Sequence, residues 1–179
     1  MIPLRDSNPT RTFPTVTIAI IVCNVVAFVL DQATAKVEVV HVLTPYGIAD
    51  VQRLVGGLSQ YYSLVPAHVT SDLAGAWFTI FTSMFLHANW LHIGGNMLYL
   101  WIFGNNIEDT LGHIGFLVFY LVCGAAAAVA HILTGPTSDV PTIGASGAVA
   151  GVMGAYLILF PHARVLSIVP LGCFVTLAE

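Results

Sequence analysis

A serine, a histidine and an asparagine stand out in this sequence because each lies in or beside an apolar run. Polar side chains are costly at membrane depth unless they have a partner or a task. The histidine and asparagine belong to the stretch Leu86-His87-Ala88-Asn89-Trp90-Leu91-His92-Ile93-Gly94-Gly95-Asn96-Met97. On a helix His92 and Asn96 are i and i+4, so they stack on one face and can address one small target, while Gly94 and Gly95 admit a close neighbour. Such a pair also serves as hydrogen-bonded glue between helices, and the spacing fits both uses.

The serine belongs to Thr142-Ile143-Gly144-Ala145-Ser146-Gly147-Ala148-Val149-Ala150-Gly151-Val152-Met153-Gly154. Gly147, Gly151 and Gly154 form a stripe of small residues on which another helix can approach closely, and Ser146 begins that helix. N–H groups at a helix N-terminus lack intrahelical acceptors and favour negative charge, so a hydroxyl placed there has an oxyanion donor beside it. The bland alternative is a serine near a helix cap. The G-x-S-x-G elbow of soluble α/β-hydrolases fits poorly, because Ala148 stands at the last glycine position and the surroundings read as membrane helix.

The elements that must position these residues are apolar helices. The chain has 179 residues, 57% of them hydrophobic and 8% charged, with a mean hydropathy of +0.87, which is the composition of a membrane protein. Nine acids and five bases give a net charge of -4 with no basic run, which argues against nucleic-acid binding. Cys23, Cys123 and Cys173 sit singly in apolar runs and point to neither a zinc site nor a disulfide framework. Apolar runs at about 14–31, 88–104, 115–134 and 145–161 are the candidate spans, preceded by a tail at 1–13. The first is read as a retained span and not as a cleaved signal, because no small-x-small site adjoins it. The run 165–179 contains Pro170 and Gly172 and is read as interfacial or as the start of a further span. With four crossings, Arg5, Arg11 and Arg164 fall on one side, which places the N-terminus in the cytoplasm; Lys36 and Arg53 lie in the long first loop on the other. That loop, from Asp31 to about Ala76, is expected to lie partly in the membrane, followed by the interfacial aromatic stretch Ala76–Phe81.

Together the two constellations resemble the rhomboid intramembrane serine proteases. The matching pieces are His87…His92-x-x-x-Asn96, Gly104-x-x-x-Glu108 and Gly144-Ala145-Ser146-Gly147, in consistent order from about Phe81 to Leu171. The resemblance implies an all-α polytopic bundle in which residues 14–179 form part of the membrane domain. It also implies cofactor-free, metal-free cleavage of the transmembrane segment of a membrane-protein substrate, in the plasma (inner) membrane. By that resemblance Ser146 is the nucleophile, His92 and Asn96 stabilise the oxyanion, and His87 lies near the cavity mouth. Glu108 ties helices and loops on the cytoplasmic side, and Gly144 and Gly147 flank the nucleophile. Two positions depart from the pattern: Ala150 stands where some relatives carry an aromatic, and Trp77-Phe78-Thr79 lacks the Arg of a Trp-Arg pair.

A serine hydroxyl needs a base, which the resemblance puts on a helix two spans after the serine helix. His162 is about 24 Å of helix rise from Ser146 and cannot serve. His131 is read as packed or cavity-lining, His113 as part of a cytoplasmic turn, and His41 and His68 as loop residues. The expectation is therefore a partial domain, inactive by itself, whose base lies beyond Glu179. The alternative is an inactive rhomboid-like protein that binds transmembrane helices without cutting them. A transporter using His87, His92 and Asn96 as a polar path has no broken-helix pair to support it.

Overall fold

The computed structural model describes residues 2–44, 47–171 and 174–178, with side chains omitted at 37, 40–44, 48–54, 169–171 and 174–178. The chain order is β1 (Ile2–Asp6), α1 (Thr15–Thr34), β2 (Lys36–Thr44), β3 (Gly47–Val55), then α2 (Leu58–Tyr62), α3 (Pro66–Ser71), α4 (Leu73–Ala76) and α5 (Thr79–Thr82). A 3-10 turn (Ser83–Phe85) leads to the long helix α6 (Trp90–Thr134), followed by α7 (Ser146–Leu159), β4 (Val165–Leu171) and β5 (Phe174–Ala178).

α6 starts where Asn89 caps it, its side-chain oxygen accepting from His92 N at 2.9 Å. The helix is broken at Gly112, whose φ of 72° lies in the left-handed region. Two arms result, 90–111 and 113–134; α7 packs against the second through Gly147 and Gly151 and meets the first through Tyr156 and Phe103. A methyl on Gly147 would lie 2.4 Å from Ala127 Cβ, and one on Gly151 2.5 Å from Cys123 Sγ. Leu100, Ile107, Phe116, Tyr120 and Val152 form the buried centre. Outside it, Val22, Val26, Val118, Val122 and Leu157 are exposed, an apolar surface of the kind that lipid covers. α1 and α6 are each long and apolar enough to cross a membrane, and α7 is a shorter apolar helix.

α1 is fastened to α6 at one end. Gly104 leaves room for Thr17, whose Cγ2 and Oγ1 would lie 3.1 and 3.2 Å from a methyl there. One turn on, the Glu108 carboxylate accepts from Val16 N, Thr17 N and Thr17 Oγ1 at 2.8, 2.7 and 2.6 Å. α1 has no side-chain cap of its own, so Glu108 supplies the missing acceptors from another helix. His113 Nδ1 contacts the same carboxylate at 2.5 Å, and Asp109 accepts from Arg11 N and Thr12 N.

The all-α expectation needs correction: the molecule is mostly helical but carries two small sheets. β2 and β3 form an antiparallel hairpin in the first loop, and β1, β4 and β5 form a three-stranded antiparallel sheet. The run 165–179, expected to be interfacial or the start of a span, is strand over Val165–Leu171 and Phe174–Ala178. β-branched residues dominate both regions, as in Val37-Glu38-Val39-Val40 and Ser167-Ile168-Val169, and favour extended backbone. The second apolar run, expected to end at 104, continues as helix to 111, because Asn106 and Glu108 find hydrogen-bond partners and do not stop it. Cys173 lies outside the described residues.

Candidate active site

Ser146 is the first residue of α7, reached through a tightly held strap. Gly144 has a φ of 126°, and its N–H donates to Ser83 O at 2.9 Å. Ala145 N–H donates to His87 Nε2 at 3.5 Å. His87 is fully buried, and burial, with the His92 ring beside it, pulls its imidazole down to about 4. It is therefore neutral and able to accept. Thr142 pairs with Leu64 through two backbone bonds of 3.0 and 2.7 Å, and its hydroxyl meets His131 Nε2 at 2.8 Å.

The glycine at 144 brings the site together. A methyl there would lie 2.8 Å from both Cε1 and Nε2 of His92 and 3.8 Å from Ser146 Oγ. Imidazole edge and hydroxyl thus flank one point that only a hydrogen leaves open. Asn96 stands one turn below His92, its Nδ2 donating to His92 O at 3.1 Å, which leaves its second N–H. Ser146, His92 and Asn96 line one cleft of about 410 Å³ together with Tyr99, Val149 and Ala150. His87 stacks edge-on to His92 with centroids 5.0 Å apart but does not line the cleft. Behind Ser146 a second cavity of about 200 Å³ is bounded by Met84, His131, Thr142 and Gly147. No hydrogen bond to Ser146 Oγ is present among the described residues, and no group of three or more His, Cys, Asp or Glu among them could hold a metal.

Of the predicted site residues, the fold brings Ser146, His92, Asn96, His87 and Gly144 together, with Gly147 on the α6-facing side of α7. Glu108 lies elsewhere, at the α1 junction. The Ser83 carbonyl and the Thr142–His131 pair also hold the strap. Neither carries a signal in the sequence, since both act through contacts between segments distant along the chain.

The family model for the rhomboid domain matches residues 74–178. The chain belongs to the rhomboid family. It is 32% identical over 125 residues to rhomboid protein 1, mitochondrial, of Saccharomyces cerevisiae, covering 68% of this chain and 35% of that one. Rhomboid-like protein 11, chloroplastic, of Arabidopsis thaliana is 35% identical over 103 residues, 56% of this chain and 36% of that protein. Rhomboid protease GluP of Bacillus subtilis is 36% identical over 83 residues, 46% of this chain and 16% of that one. The chain thus spans about a third or less of the length of these relatives. The rhomboid family comprises multi-pass integral membrane proteins and includes proteases.

Proposed function

We propose that this rhomboid chain carries the nucleophile and oxyanion half of an intramembrane serine endopeptidase that cleaves transmembrane segments of membrane proteins. The observation that supports the reading is the approach of His92 Nε2 and Ser146 Oγ to the same point beside Gly144. In this reading Ser146 Oγ attacks the scissile carbonyl, and the oxygen takes on negative charge. It is met by the Ser146 N–H at the helix start, the His92 Nε2–H and the remaining Asn96 N–H. A removed donor of this kind costs about 2.7–4 kcal/mol in the transition state. The serine hydroxyl needs a general base to take its proton as it attacks. Arg5, Arg11 and Arg164 support placing the N-terminus in the cytoplasm.

A fluorophosphonate probe tests the assignment. In folded full-length protein it is expected to label Ser146, and Ser146→Ala should abolish the label. A folded full-length protein that takes no label at Ser146 would refute the catalytic reading and leave binding of transmembrane helices without cleavage.

A further inference from the structure

Far from Ser146, the N-terminal tail folds back across α6 and closes a polar cavity of about 350 Å³. Arg5, Asn8 and Thr10 from the tail, and Trp101 and Asn105 from α6, contribute to its walls. The tail is fixed there: Asp6 Oδ2 accepts from Asn106 Nδ2 at 2.7 Å and from Tyr156 OH at 2.9 Å. β1 also pairs with β4. Asn105 Oδ1 accepts from Asn106 N and Nδ2, so its own amide N–H groups remain as donors. The Arg5 side chain makes no hydrogen bond or ion pair among the described residues, and Asp6, the acid sharing the wall, is held by Asn106 and Tyr156. A second cavity, of about 510 Å³, continues past Arg5 to Arg164.

We infer that this cavity binds a phosphate group, with Arg5 as its charge partner and an anionic phospholipid headgroup as its source. Three features favour the lipid. Arg5 lines both cavities and Arg164 the second, and basic pockets beside membrane helices attract anionic headgroups. Trp101, 56% exposed, is an aromatic of the kind found at the membrane interface. Ile2 and Leu4 are also exposed, which offers apolar surface for acyl chains beside the cationic site.

The test is lipid retention in native mass spectrometry of the full-length protein, taken from vesicles of equal parts phosphatidylglycerol and phosphatidylcholine. Phosphatidylglycerol should be retained in preference. Arg5→Gln should cut that preference about fivefold, one surface charge's worth, while Arg5→Lys retains most of it and Arg11→Gln leaves it unchanged. Equal retention of the two lipids, or a preference untouched by Arg5→Gln, overturns the inference. So does loss of the bound phosphatidylglycerol to millimolar inorganic phosphate, which would make free phosphate the ligand. The readout is independent of Ser146, so it stands or falls apart from the protease reading.

Discussion

At Gly144 one hydrogen separates the His92 ring from the strap that carries Ser146. Gly144→Ala would put a methyl 2.8 Å from His92 Cε1 and Nε2, at a φ that side-chain-bearing residues rarely adopt. The ring must move, so fluorophosphonate labelling of Ser146 should fall by at least about tenfold, with a stability loss of roughly 1–2 kcal/mol. Labelling at the parental rate would show that His92 has no part in the site. His87 gives a pH effect of definite sign. Its folded value of about 4 lies below the ordinary 6.5, so the unfolded chain binds the proton more readily. The contribution of His87 to stability is therefore complete above pH 6.5 and is lost as pH drops toward 4, by up to about 3 kcal/mol. His87→Gln, which keeps an acceptor for Ala145 N–H, should flatten the thermal midpoint between pH 7 and 4.5. A midpoint equally pH-dependent in both proteins would remove His87 as the cause. The sequence made His92, Asn96 and Ser146 legible, because polar residues in apolar runs are conspicuous. The part His87 plays was not, since it depends on a backbone N–H 58 positions away.

Among the elements, α7 is the one whose sequence foretold its packing. The stripe Gly147, Gly151, Gly154 has the spacing of a close-approach surface, and the structure divides it. Gly151 has Cys123 Sγ 2.5 Å from where its Cβ would be, while nothing lies within 4 Å of that point at Gly154. Gly151→Ala should therefore cost about 1–3 kcal/mol by forcing α7 from α6, whereas Gly154→Ala should be neutral or slightly stabilising. Denaturation in mixed micelles measures both, and equal effects would mean that α7 does not rest on Cys123. The ends of α6 were harder to read. Polar Asn105, Asn106, Glu108 and Asp109 resemble a loop in sequence, but each has a partner that lets the helix run on to Gly112. The strands escaped a reading tuned to long apolar helices, since a short run rich in Val and Ile suits either state.

For the whole molecule, the hydrogen bonds sort the loops into two groups. The tail at Arg11 and Thr12 is bonded to Asp109, close to the Gly112 break and His113. At the other end Ala67 N donates to Ser138 O, and Leu64 pairs with Thr142. These are the ends of a bundle in which α1, the two arms of α6 and α7 run alternately up and down. An arm of 22 residues rises about 33 Å, enough for a hydrocarbon core of roughly 30 Å. Single cysteines at Thr10, His113 and Asp139, in a protein with Cys23, Cys123 and Cys173 replaced by Ala, test this with a membrane-impermeant maleimide. Thr10→Cys and His113→Cys should react from the same side of sealed vesicles, and Asp139→Cys only from the other. If Asp139→Cys reacts together with Thr10→Cys, α6 does not turn back across the bilayer at Gly112. The strap before Ser146 would then open on the same side as the tail, and the cleft with it.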